Sequence, residues 1–389
     1  MYLLHILFFS LPLYFSHVFS PLGVTIWESY SFERYKVYLF LILLVFVSIE
    51  WLIRYPQRIL DILGKYAHII VLLLVIPVVS ALYFATPLDI GWLMGSHEKH
   101  HGYLFYTGVI ALILLLLSSP REYLRSYLRW SIYATVMVAV IAIGEYMGGI
   151  LDIYQRSEMI SAYSGRSVST FGNPNYVAGY LLLFVPLFTW IRTPERWLAL
   201  GLWSLAILTT GSYIAIGLMG LYYLYRFFRY TQFRTMVAFS LVLGVAILGG
   251  CMANIYLDPD KILSFMSRFV LMYECISMML WDPISFLIWF GLDSILTHFS
   301  LDRSILVNSY FPVNMSIDSS HNVFIDILFQ YGIFPILIIG YALITTWKNQ
   351  KEELQIAILL GGIFLALNVF VVAHIVTLIL LLHIHRNKN

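Results

Sequence analysis

Residues 103–119 read YLFYTGVIALILLLLSS, a run with no charged side chain. As a helix it rises about 25 Å, close to the ~30 Å hydrocarbon core of a bilayer. Arg121, Arg125 and Arg129 follow it closely. Comparable runs lie on both sides, at 3–23, 37–54, 67–88, 129–151, 176–191, 197–210, 212–226, 236–254, 322–346, 354–370 and 372–385. The spans at 197–210 and 212–226 are short and meet at Thr210-Gly211-Ser212. Composition agrees: 60% of residues are hydrophobic and 11% charged, against about 25% charged in soluble domains. The expected fold is all-α, a polytopic transmembrane bundle of about twelve helices, or eleven if the last two runs are one helix. It forms a single integral membrane domain over 1–389, with one large loop, 255–321, between the ninth and tenth spans. The first run lacks a basic leader and a small-residue cleavage site, so it reads as a retained helix.

The charges are sorted by loop. With the N-terminus inside, alternate loops carry 15 of the 23 basic residues but five of the 21 acidic ones. Arg54, Arg58 and Lys65 form one such group, and Arg226, Arg229 and Arg234 another. By the positive-inside rule both termini are expected to be cytoplasmic.

Two polar islands then fall on the outer face. The first is Gly165-Arg166-Ser167-Val168-Ser169-Thr170-Phe171-Gly172-Asn173-Pro174-Asn175; the second runs from about 257 to 321 and ends Asp318-Ser319-Ser320-His321-Asn322. About 65 residues is long for a connector. Within it, 269–290 is apolar but interrupted by Glu274, Asp282 and Pro283. A partly buried or re-entrant segment beginning just after Arg268 is expected there, because those charges are costly in a spanning helix.

Each polar group allows two readings. Gly172 to Asn175 suits a turn with an N-cap, or backbone N–H groups that receive an anion beside Arg166. His321 suits an interfacial histidine or a proton carrier. Arg166 and Arg268 could bridge to Glu158 and Glu274, or meet a substrate. Glu145, an acid inside a span, is a functional candidate or a structural partner of an arginine. His97, His100 and His101 share a loop with Glu98, too little to argue a metal site over a solvated loop. Cys251 and Cys275 have no metal-type or redox spacing, and a disulfide between them is open.

The motifs carry a resemblance. Arg166…Ser169-Thr170-Phe171-Gly172-Asn173-Pro174-Asn175…Ala178 resembles the R-x-x-x-T-F-G-N-P-N-x-x-A stretch of the O-antigen ligase and polymerase superfamily. Ser320-His321-Asn322-Val323-Phe324-Ile325-Asp326…Gly332 resembles that family's H-N start of a late transmembrane helix. Ser267-Arg268…Tyr273-Glu274 with Trp281-Asp282-Pro283 is more loosely similar to its large-loop segment, the arginine-to-tyrosine spacing being one residue wider. The three motifs stand in family order and cover about 60 residues.

The resemblance implies an inverting, metal-independent glycosyltransferase of the bacterial inner membrane with a periplasmic active site. A Wzy-type polymerase would join undecaprenyl-diphosphate-linked oligosaccharides. The alternatives are a WaaL-type ligase acting on lipid A core and, from another class, a lipid-linked glycan transporter. His321 and Arg268 would be catalytic. Arg166, Asn173, Asn175, Asn322, Glu145 and Glu274 would bind diphosphate or glycan. No cofactor, metal or nucleic acid is implied, and a Wzz-like chain-length regulator would be the protein partner. Two departures stand out. Tyr213 occupies the place where ligases tend to carry arginine, and Pro335 replaces the second glycine of the late helix.

Overall fold

The computed structural model describes residues 2–14, 31–83, 90–95, 101–148, 165–191, 194–230, 259–281, 299, 305–311, 320–331, 333, 336–337, 340, 351–366, 368 and 371–384. Among these residues every regular element is helical. The α-helices are α1 (Tyr2–Leu13), α2 (Ser31–Arg54), α3 (Pro56–Tyr83), α4 (Ile90–Met94), α5 (Tyr103–Ser118), α6 (Arg121–Tyr146), α7 (Pro174–Leu182), α8 (Glu195–Thr210), α9 (Tyr213–Tyr230), α10 (Pro259–Trp281), α11 (Ile305–Tyr310), α12 (Val323–Tyr331), α13 (Glu352–Leu365) and α14 (Val372–His383). The leucine-rich run at 103–119 forms α5 nearly end to end.

Among the described residues three helical stretches are long and apolar enough to cross a membrane: Glu33–Arg54, Pro56–Val79 and Glu122–Tyr146. Tyr2–Leu13, Tyr103–Ser118 and Val372–His383 are shorter apolar helices. α3 leaves Val71, Leu72, Val75, Val79 and Leu82 uncovered, a face suited to lipid. Length and apolar character mark the chain as membrane-associated. The span expected at 236–254 lies outside the described residues, as do 332, 334–335, 338–339 and 341–346 of the span expected at 322–346.

The main core gathers around α6, which packs on α1 and α8. Trp51, Tyr127, Phe184, Trp203 and Phe364 are fully buried in it. A second, smaller core joins α10, α11 and α12 through Leu271, Cys275, Met279, Val307 and Phe329.

Several elements differ from the sequence reading, each for a local reason. The run 176–191 is not one helix. α7 stops at Leu182, and a 3-10 helix, Val185–Trp190, follows. The Pro186 ring would clash with the Leu182 carbonyl if the α-helix continued. α8 ends at Gly211, whose φ of 60° is left-handed, and α9 starts two residues later. The segment expected to begin after Arg268 is instead part of a continuous helix, α10, with Arg268 at its middle. Pro259 opens that helix, where a missing N–H costs nothing, and Glu274 lies on its half-buried flank.

The last two runs are separate helices that fold back on each other. A Cβ on Gly361 would touch Leu378, and the Phe364 ring lies 6.5 Å from the His374 ring. Partners draw together in sequence toward residues 366–371, as in an antiparallel hairpin. α7 presses on α13, because a Cβ on Gly179 would strike Phe364 and one on Gly361 would strike Leu183. These two glycines allow a close crossing of the kind small residues give membrane helices. At the end of the bundle away from the hairpin tip, Arg229 pairs with Glu352 at 2.8 Å and Lys351 lies over Trp190. Toward the tip end lie the first island and Arg268 of the second.

Candidate functional site

The first island is threaded into the bundle. One Glu145 oxygen, at the end of α6, accepts from Ser167 Oγ (3.0 Å), Val168 N (3.0 Å) and Ser169 N (2.8 Å). Ser169 has a left-handed φ of 44°, and its hydroxyl donates to the Val138 carbonyl. Thr170 Oγ1 donates to the Pro12 carbonyl of α1 at 2.6 Å. Lys36, buried on α2, donates to the Thr170 carbonyl at 2.6 Å and sits 3.7 Å above the Phe171 ring. Ser167 N donates to the Thr209 carbonyl of α8. Glu145 therefore binds the loop, a structural task, where the sequence left it as a substrate contact or as a partner of an arginine. A carboxylate at a helix end meets the exposed N–H groups of a strained turn well.

That stapling fixes Arg166 at the mouth of the loop. Its Nε donates to the Thr210 carbonyl at 2.7 Å, and its Nη2 donates to Asn175 Oδ1 at 3.5 Å. The break at Gly211 makes room: a Cβ there would stand 3.2 Å from Arg166 Nε. Asn173 is the N-cap of α7, accepting from Asn175 N at 2.9 Å. The capping reading of Asn173 therefore holds, and Asn175 meets Arg166 besides.

Arg268 reaches the same place from α10. Its Nη1 donates to Asn368 Oδ1 at 3.4 Å, at the tip of the α13–α14 hairpin. Burial holds its guanidinium below the ordinary arginine value; the Tyr176 phenol opposes that shift, and the Arg166 charge adds to it. The two arginines and Tyr176 thus lie within electrostatic reach of one another. One turn further along α10, about 6 Å of rise, Met272 Sδ accepts from Asn322 Nδ2 at 3.8 Å. This contact brings the start of α12 onto the Arg268 face.

The corner before α12 is built locally. Asp326, buried, accepts from Ser320 N at 2.7 Å and Ser320 Oγ at 2.6 Å. Asn322 Oδ1 caps the helix by accepting from Phe324 N and Ile325 N. Between these two fixed points His321 takes a left-handed φ of 59° and stays half-exposed. Such a conformation is uncommon for histidine and costs about 1–2 kcal/mol. Asp318 and Ser319 lie outside the described residues.

Arg166, Asn175, Arg268 and the His321–Asn322 corner therefore converge. Glu274 does not join them through its position on α10, where six residues place it about 120° round the helix from Arg268. Sequence reasoning missed Lys36, Tyr176, Asp326 and Asn368. Asn368 carried a usable signal as the single carboxamide late in the apolar run 354–370.

Among the described residues no three His, Cys, Asp or Glu side chains gather into a metal cluster. His101 instead bonds Glu33 at 3.1 Å, and the same Glu33 oxygen accepts from Val372 N at the start of α14. His97 and His100 lie outside the described residues. Cys275 is a free buried thiol, its pKa pushed up by burial and further by the Asp326 and Glu274 charges. Cys251 lies outside the described residues.

The arrangement sets two guanidinium groups within electrostatic reach of one another and of Tyr176, with Asn322, next to His321, resting on the helix that carries Arg268. Comparison with protein-family models, with curated proteins and with solved structures returns no match.

Proposed function

We propose that this chain is a polyprenyl-diphosphate-dependent glycosyltransferase, an O-antigen or related surface-polysaccharide polymerase. The observation that carries the reading is the meeting of Arg166 and Arg268 beside the His321 corner. Two guanidinium groups repel at short range, and a diphosphate between them removes that cost while matching their forked donors. The acceptor hydroxyl oxygen attacks the anomeric carbon of the lipid-linked glycan. The bond from that carbon to the diphosphate oxygen breaks, and its electron pair leaves with the diphosphate. The arginines stabilise this leaving charge. His321 takes the hydroxyl proton or, alternatively, ligates phosphate. Inversion at the anomeric carbon follows from a single displacement.

In this reading the arginine pair faces the periplasm of a bacterial inner membrane and both termini are cytoplasmic. The clustering of Arg229, Glu352 and Lys351 at the opposite end of the helices supports that orientation. Tyr213 in place of the ligase arginine favours polymerase over ligase. One observation favours a transporter. The helix break at Gly211 is an interruption of the kind transporters place at their substrate sites.

Deleting the gene and separating the lipopolysaccharide on a gel tests the reading. One repeat unit on the core supports a polymerase; bare core with lipid-linked polymer accumulating supports a ligase; unchanged glycans sink both. Transfer by the purified protein in detergent, where no membrane separates two sides, excludes a transporter. Arg268→Ala and Arg166→Ala should each lower that transfer about 100-fold, as loss of a leaving-charge donor does.

A further inference from the structure

The end of the bundle away from the first island carries a cleft of its own. α2, α3 and α5 enclose about 140 Å³ there, between Ser48 and Leu52 of α2, Ile59 and Leu63 of α3, and Leu114 and Ser118 of α5. Its depth follows from the helices. Lys36, on α2, meets Thr170 of the first island, and Leu52 lies about 24 Å further along the same helix. α6 runs the same distance in reverse, from Arg121 to the Glu145 end that holds the island. With a hydrocarbon core of ~30 Å, the cleft belongs to the leaflet opposite the arginine pair.

Its walls are apolar, and the Ser118 hydroxyl is turned to the Leu115 carbonyl. Leu52 and Leu63 remain 54% and 37% exposed, so the cleft opens outward, beside a helix whose further length bares Val71, Val75 and Val79. An apolar slot of this kind stays dry, and a lipid chain gains dispersion contacts by entering it.

The mouth is charged. Past Leu52 the helical bonding continues, Tyr55 N donating to the Trp51 carbonyl, and the Arg58 guanidinium lies 5.6 Å over the Tyr55 ring. Arg58 is exposed and shares a face of α3 with Ile62, another residue of the cleft wall. Tyr123 hydrogen-bonds Tyr55, which brings the arginine-bearing start of α6 beside the mouth. Residues 50–65 and 119–129, which frame this end, hold six basic and three acidic side chains. Two of the acids are engaged: Glu50 pairs with Arg54 at 3.2 Å, and Asp61 accepts from Gln57 at 3.1 Å.

We propose that this cleft binds an anionic phospholipid of the arginine-rich leaflet, the cytoplasmic one by its charge, with one acyl chain between α2, α3 and α5 and the phosphate at Arg58. Basic pockets between membrane helices receive anionic headgroups in this way. The slot adds a demand for a chain that a bare basic surface does not make. The site lies in a different leaflet from Arg166 and Arg268, and it stands whatever that pair carries.

The test uses the full chain in detergent. Dioleoyl phosphatidylglycerol or phosphatidylcholine is titrated in, and binding is read from the rise in melting temperature. Phosphatidylglycerol should half-saturate at a concentration about fivefold lower than phosphatidylcholine, and Arg58→Gln should make the two lipids equal. Ala111→Phe fills the slot from within and should weaken both lipids at least about tenfold. Leu63→Trp blocks the slot from its open edge without displacing a buried side chain, and should do the same even if Ala111→Phe fails to fold. Equal affinity for the two lipids in wild type overturns the proposal. So does a preference that survives Arg58→Gln, or full affinity in Leu63→Trp. Undecaprenyl phosphate that displaces phosphatidylglycerol at equal concentration makes the occupant a polyprenyl lipid and overturns it as well.

Discussion

The stretch 167–171, next to Arg166, and the stretch 320–326, resting on the helix of Arg268, are held in opposite ways. Each contains a non-glycine residue in the left-handed region, Ser169 and His321. The first stretch is fixed at long range, by Pro12, Lys36, Val138, Glu145 and Thr209, from four different helices. The second is fixed within itself, by Asp326 on Ser320 and by Asn322 on its own helix start. Its further tie to the molecule, Asn322 to Met272, is a weak amide-to-sulfur contact. The first island is thus part of the scaffold, and Arg166 inherits its position from the main core. The hydrogen bonds described for the His321 corner are mostly local, and its helix touches both the smaller core and, through Val323, the main core. Damage to the first should appear as lost stability, and damage to the second as lost activity.

The largest effect should come from the imidazole. His321→Asn keeps a residue type that tolerates the left-handed region, so the corner should survive. Transfer should fall about 100- to 10,000-fold if the imidazole moves the acceptor proton, with a melting temperature unchanged within about 2 °C. His321→Ala is the poorer variant, because it adds backbone strain. Wild-type turnover in His321→Asn would break the comparison at its activity end.

Next is Glu145→Ala. It leaves Val168 N and Ser169 N without their carboxylate and should cost about 2–4 kcal/mol of stability. The readout is the melting temperature and the amount of folded protein in the membrane. A melting temperature like that of wild type, with transfer alone lost, would make Glu145 a substrate ligand after all. A third variant probes Arg166 without touching it. Gly211→Ala forces alanine into a left-handed φ at about 1–2 kcal/mol and sets its Cβ 3.2 Å from Arg166 Nε. It should raise the apparent KM for lipid-linked substrate severalfold and leave kcat nearly unchanged, the pattern of a binding contact.

Much of this was legible in the chain. The charge-free run 103–119 became α5, and Arg166, Arg268 and His321 stood out because a mostly apolar chain leaves few polar side chains unexplained. What stayed hidden depends on partners far away in sequence. The second span was read as starting at Val37, one residue after Lys36, because a lysine ordinarily ends an apolar run. Lys36 is instead inside α2, received by the Thr170 carbonyl and the Phe171 ring 134 residues away. No local pattern carries that information. α10 was misjudged for a related reason. Glu274 reads as a break only if the segment is wrapped in hydrocarbon, and on a half-covered amphipathic helix it is an ordinary flank. Glu145 was found, but not its three loop donors, since an intramembrane acid looks the same in sequence whether it meets substrate or a loop.

The smallest effect sharpens the comparison most. In the His321 corner the two bonds from Ser320 to Asp326 end on one oxygen, Asp326 Oδ1. An asparagine can keep that oxygen in place, so Asp326→Asn forfeits only the charge assistance, about 1 kcal/mol or less. Alanine removes the acceptor and leaves a buried N–H unsatisfied, at about 1–3 kcal/mol. Because the corner is local, that cost should be spent on the geometry of His321 and not on the fold. Asp326→Asn should keep transfer within about fivefold of wild type, and Asp326→Ala should lose more than about tenfold at a nearly unchanged melting temperature. If Asp326→Ala instead melts as early as Glu145→Ala, the corner is as much scaffold as the first island. Two polar segments would then have reached one design by different bonds.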